Sequence, residues 1–197
     1  MDSAILARHG ESEFSVRGAL NGDASVPGGL TAAGREQARR LGERLAGTAL
    51  DLCITSALQR TRETADEALR GREVPRVVLA ELNDPRYGRF EGALLADYRA
   101  WAWNEPSTAV PGPGGESRLA LVERYAGAYR AVLARPERTI LVVGHSLPIA
   151  YALAARDGRP PAPRAPLVEY AEPNPFAAEE LDRVASVLEA WVAAPTW

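Results

Sequence analysis

Short unbroken apolar runs alternate along this chain with longer stretches whose apolar residues recur at helical spacing. Ala4-Ile5-Leu6-Ala7 is the first run; it ends in Arg8-His9-Gly10-Glu11 and reads as a buried strand carrying polar groups to its C-terminal edge. Residues 12–29 are polar and glycine-rich without an apolar stripe, so the pattern predicts a loop over that edge. Thr31 is placed to cap a helix with Ala38, Leu41 and Leu45 on one face, ended by Gly47. A second strand is expected at residues 50–55, a helix at 57–69 closed by Gly71, and a third short strand at Val77-Val78-Leu79.

A helix at residues 94–103 precedes a stretch broken by Pro106, Pro111, Gly112, Pro113, Gly114 and Gly115. Ser117 then caps a longer helix whose stripe runs through Leu121, Val122, Tyr125, Tyr129, Val132 and Leu133. The strand expected at residues 139–143 leads into Gly144-His145-Ser146, and Pro148 suits the first turn of a helix reaching about Arg156. Residues 160–166 read as a proline-rich surface crossing, residues 167–170 as a return to the sheet, and residues 177–192 as a final helix with Leu181, Val184, Leu188 and Trp191 inward. The alternation predicts an α/β three-layer sandwich, its mainly parallel sheet flanked by helices, in a single domain over residues 1–197.

Composition narrows the function. A 46% apolar and 25% charged chain of 197 residues is that of an ordinary globular protein able to bury one substantial core. A net charge of -3 argues against a general nucleic-acid partner, which calls for a basic field. No apolar run is long enough to span a bilayer and no leader pattern opens the chain, so a cytoplasmic protein without a membrane partner is expected. Cys53 sits in a strand-like run and reads as structural. Nothing in the sequence fixes whether it forms a homo-oligomer.

The chain has two histidines, His9 and His145, and each directly follows a predicted strand. That placement aims both imidazoles at one rim of the sheet, where open α/β sheets bind ligands. Arg8 precedes His9, and the segment Ser56-Ala57-Leu58-Gln59-Arg60 brings a second guanidinium to the same edge. Two planar donor forks beside two imidazoles suit a phosphoryl group. The histidine spacing does not suit a metal, and no cysteine cluster accompanies it.

These residues also carry a resemblance. Arg8-His9-Gly10-Glu11, Ser56-x-Leu58-x-Arg60-x-x-x-Thr64-Ala65 and Gly144-His145-Ser146 resemble, in order, three motifs of the histidine phosphatase superfamily, also called the phosphoglycerate mutase-like family. The resemblance implies a metal-independent, cofactor-free phosphatase that hydrolyses a small phosphomonoester through a phosphohistidine on His9. Arg8, Arg60 and a protonated His145 are then expected around the phosphoryl oxygens. Alignment on Gly88 and Glu91-Gly92 puts Asp84 at the family's acid position, where Glu is usual, with Glu81 as the fallback. Read on its own, Asn83-Asp84-Pro85 is equally a turn.

The resemblance further implies substrate contacts from Ser15, where an Asn is expected, from Asn21 and Gly22, and from Ser146, where Gly is commoner. Gly114-Gly115-Glu116-Ser117 also looks like a family element near the pocket, chiefly as loop and cap. Two other readings compete: a mutase returning the phosphoryl group to its substrate, and a binding module of the same fold. Mutases of the family carry an added basic segment, whereas residues 92–115 here hold only Arg99 as a base. Trp101 and Trp103, two apart on one helix, cannot share a face; one is expected in the core and the other exposed or at an interface, with stacking on a substrate the lesser reading.

Overall fold

A computed structural model describes residues 1–197. Five strands form one sheet: β1 (Ser3–Arg8), β2 (Leu52–Thr55), β3 (Arg76–Val78), β4 (Thr139–Gly144) and β5 (Pro173–Ala177), in the order β3-β2-β4-β1-β5. The first four are parallel to one another, and β5 runs antiparallel to β1.

Alternation along the central strands builds the core on both faces. Ala4, Leu6, Leu52, Ile54, Ile140 and Val142 face α5 (Arg118–Leu133), α6 (Ser146–Arg156) and α7 (Ala178–Ala193). Ile5, Ala7, Cys53, Leu141 and Val143 face α2 (Ala32–Arg44) and α3 (Gln59–Ala68). Such two-sided burial is what near-continuous apolar strands require, and it yields the three layers expected. Burial pushes the Cys53 thiol up to about 12, which fits a packing role. No helix is long and apolar enough to cross a membrane.

Two expectations need correction. Residues 12–29 are not all loop: Ser12 opens the short α1 (Glu13–Val16) by a capping box with Ser15, a local pairing that needs no apolar stripe. Residues 167–170 do not join the sheet as a strand; only an isolated bridge links Tyr170 to Arg8. The last strand is instead β5, whose Pro173 and Pro175 are tolerated because it lies at the sheet edge. The eight-residue helix α4 (Leu95–Ala102) and two 3₁₀ turns at Ala80–Leu82 and Gly88–Phe90 roof the strand ends, with Leu20, Tyr87, Tyr98 and Ala102 in a small cluster of their own.

Candidate active site

The register of β1 on β4 pairs Arg8 with Gly144, so the next residue of each strand, His9 and His145, stand side by side. Their rings meet edge to face with centroids 5.3 Å apart. Gly10 is glycine because a Cβ there would lie 2.3 Å from the Gly34 carbonyl oxygen, so the turn after His9 packs directly on the start of α2.

His9 is 4% exposed, and its Nδ1 lies 2.7 Å from the carbonyl of Gly10. A carbonyl only accepts, so Nδ1 carries the proton and the Nε2 lone pair is free. Arg60 Nε donates to that Nε2 at 3.2 Å, in agreement. Burial, followed by the charges of Arg60, His145 and Arg8, pushes the His9 pKa well below its ordinary value, so the ring is neutral.

Arg60 enters from the first turn of α3 and is 3% exposed. Its fork donates to the Asn21 side chain at 2.7 Å, to the Asn21 carbonyl at 2.9 Å and to Asp84 at 2.6 Å. Arg8 donates to the Val168 carbonyl at 2.7 Å and lies 3.7 Å over the Tyr170 ring, while its buried Nε has no protein partner. An unpaired buried donor is costly, which marks a place meant for an anion. Residues 167–170 thus hold Arg8 in place.

His145 is fully buried, with Nε2 2.8 Å from the Ser56 hydroxyl and Nδ1 3.2 Å from Asp84. Burial and then Arg60, Arg8 and Arg124 push its pKa well below the ordinary value. The expected protonated His145 is therefore corrected to a neutral ring; its Nδ1–H donates to Asp84 and its Nε2 accepts from Ser56.

Asp84, rather than the exposed Glu81, reaches the cavity and touches both Arg60 and His145. The turn that carries it is clamped from α5. Arg124, paired at 2.8 Å with buried Glu116, donates to the carbonyls of Glu81 and Asn83, and the Tyr125 hydroxyl donates to Asn83 as well. In the sequence Tyr125 reads only as one residue of the apolar stripe and Arg124 as a charge beside it; the pairing of Glu116 with a basic residue eight positions on is the signal that points to the clamp.

A cavity of about 230 Å³ opens above these groups. Ser15 and Ser146 line it, but the Ser15 hydroxyl bonds Ser12 at 2.8 Å and the Ser146 hydroxyl accepts from the Val168 amide at 2.9 Å. Asn21 also lines it, with its side chain engaged by Arg60. Gly22 does not: its amide donates to Glu91 at 3.0 Å, and a Cβ there would sit 2.0 Å from the Pro85 carbonyl oxygen. The expected substrate contact at Gly22 is thus corrected to a seam that packs residues 21–22 on the Asp84-Pro85 turn. Trp103 lines the cavity while Trp101 packs on Phe90 and Tyr98. No three His, Cys, Asp or Glu side chains converge into a metal-binding group.

The chain is similar to known proteins in sequence and in fold. Residues 4–171 match the family described as the histidine phosphatase superfamily (branch 1). Over 165 residues the chain is 33% identical to an adenosylcobalamin/alpha-ribazole phosphatase of Escherichia coli, covering 79% of each chain. It is 34% identical over 169 residues to a 2,3-bisphosphoglycerate-dependent phosphoglycerate mutase of a Methylobacterium species, covering 78% of this chain and 80% of that one. Its fold superposes on the alpha-ribazole phosphatase of Shigella flexneri with a TM-score of 0.73 at 26% identity, covering 88% and 89% of the two chains.

Proposed function

The chain belongs to the histidine phosphatase superfamily, and from that premise we propose that it is a phosphatase that cleaves a small phosphomonoester through a phosphohistidine on His9. The observation that carries the reading is His9 itself: a neutral ring, its Nδ1–H tied to the Gly10 carbonyl, its unprotonated Nε2 set among Arg8, Arg60 and His145 and accepting only the 3.2 Å bond from Arg60 Nε, which an entering phosphoryl group takes over.

In the first step the Nε2 lone pair attacks phosphorus as the bond to the ester oxygen breaks, and the Asp84 carboxyl passes a proton to the leaving oxygen. The orphan Nε–H of Arg8, the Arg60 fork and His145 Nδ1–H donate to the equatorial oxygens as negative charge gathers there. The ester enters as its monoanion, displaces Asp84 from Arg60 and His145, and leaves its proton on the freed carboxylate, which then faces the leaving oxygen. In the second step water attacks phosphorus, the N–P bond breaks, Asp84 takes the water's proton, and inorganic phosphate leaves. Every group in this scheme belongs to the chain.

The mutase among the relatives keeps a second reading open, return of the phosphoryl group to another hydroxyl of the substrate. The scarcity of bases between residues 92 and 115 favours hydrolysis. Phosphate release from a panel of phosphomonoesters, alpha-ribazole phosphate and phosphoglycerates included, tests the choice. Hydrolysis predicts release that EDTA spares and His9→Ala abolishes; isomerised ester without net release would establish the mutase.

A further inference from the structure

Two arginines are buried in this protein, Arg60 and Arg118, and only Arg60 has a carboxylate partner. Arg118, the first residue of α5, is 9% exposed and makes no ion pair. Its Nη1 donates to the Tyr151 hydroxyl at 2.8 Å and its Nε to the Tyr98 hydroxyl at 3.3 Å. Its Nη2 donates to no protein atom. Burial works against its charge, but the two tyrosine oxygens more than offset that, so the guanidinium stays charged and is met by dipoles alone.

Elsewhere the chain compensates buried charge. Glu116 is paired with Arg124, and Glu67 with Arg35, Arg39 and Arg70. A buried cation without a counter-ion is costly, so its survival points to an anion that arrives from outside.

Arg118 lines the same cavity as His9, yet it is not among the charges that bear on either histidine. It lines the cavity together with Tyr98 and Arg99 of α4, with Trp103 and with Pro163 and Ala165. Four arginines line this cavity, Arg8, Arg60, Arg99 and Arg118, against the single carboxylate of Asp84. Arg8 and Arg60 match one phosphoryl group; Arg99 and Arg118 are left over.

Building on the phosphomonoester reading above, we propose that the alcohol part of the substrate carries a second oxyanion, a carboxylate or a further phosphoryl group, and that Arg118 receives it. Tyr98 and Tyr151 orient the fork, Arg99 lends charge from the rim, and the apolar wall between them accepts the carbon skeleton. Arg118 is then a specificity residue for the same site and takes no part in the transfer.

The test uses ω-phosphorylated hydroxy acids of increasing chain length, their uncharged amides, and diol bisphosphates of matching length. For at least one length the wild-type protein is expected to favour the acid or the bisphosphate over the amide by roughly tenfold to a hundredfold in kcat/KM, mainly through KM, as one charge-assisted hydrogen bond provides. The acid and bisphosphate arms tell which oxyanion is taken. Arg118→Gln is expected to bring that ratio below about threefold and Arg118→Lys to keep part of it. Equal kcat/KM for acids, bisphosphates and amides at every length in the wild-type protein overturns the proposal, as does a preference that survives Arg118→Gln in a protein that still melts cooperatively. If no ester is hydrolysed, the phosphatase reading fails by itself. Calorimetric binding of carboxyalkyl phosphonates against their amides then still reads the Arg118 site, with equal affinity counting against it.

Discussion

At the scale of the residue, the proposed transfer asks the one carboxyl group of Asp84 to serve two steps, and its value there depends on how badly the leaving oxygen needs a proton. Asp84→Asn is expected to lower kcat about 10²- to 10⁴-fold for an alkyl phosphate and far less for a nitrophenyl phosphate, whose leaving group departs unprotonated. Equal losses on both would move the acid elsewhere. The sequence pointed to His9, His145, Arg8, Arg60 and Asp84 because strand ends, helix starts and motif spacing are local properties, and the structure gathers all five in one cavity wall or directly behind it. Beyond a backbone carbonyl holding one nitrogen of His9, which the structure supplies from Gly10, it was silent on which hydrogen bond each group makes. The neutral state of His145 depends first on its burial and then on Arg60, Arg8 and Arg124 arriving from three other segments, and the amide of Gly22 is taken by Glu91, 69 residues away. Such partners follow from tertiary contact, which no residue pattern encodes.

At the scale of the element, the site is a set of loops held by rigid neighbours. Helix α5 fixes the Asp84 turn through Arg124, whose charge is matched by Glu116. Arg124→Met is therefore expected to reduce kcat on alkyl phosphates roughly tenfold to a hundredfold while leaving nitrophenyl phosphate little affected, the same leaving-group signature as Asp84→Asn in weaker form. A uniform loss across both substrates would show that Arg124 acts only on stability. The main helices and the parallel strands were readable because their apolar period is regular over many residues. The misreadings fall where that signal is short or contradicted: α1 depends on one capping box, and β5 combines two prolines with a single buried apolar side chain, Phe176. The apolar pair Leu167-Val168 looked more strand-like than β5, yet its segment stands beside Arg8 as a wall.

At the scale of the whole molecule, both histidines of the chain are buried and neutral at the end of the sheet, so the site and the fold share one pH dependence. Their folded-state pKa values are lowered. Below the ordinary value of about 6.5 the unfolded chain takes up protons that the native one refuses, and stability falls as pH falls. The slope is at most about 1.4 kcal/mol per pH unit for each ring. Urea unfolding between pH 7.5 and 5.5 is expected to show a falling midpoint, partly restored by inorganic phosphate, which binds the native state. A midpoint that holds constant or rises as pH falls would mean that the histidines are open to protonation in the folded protein. The account as a whole stands on covalent chemistry at His9. The most direct measurement is rapid acid-free quenching of the protein during turnover of a phosphomonoester, followed by mapping of the phosphoryl group by mass spectrometry. The expected result is an acid-labile, alkali-stable phosphoryl adduct on His9, absent from His9→Ala; steady phosphate release with no adduct at His9, or release that persists in His9→Ala, would contradict it.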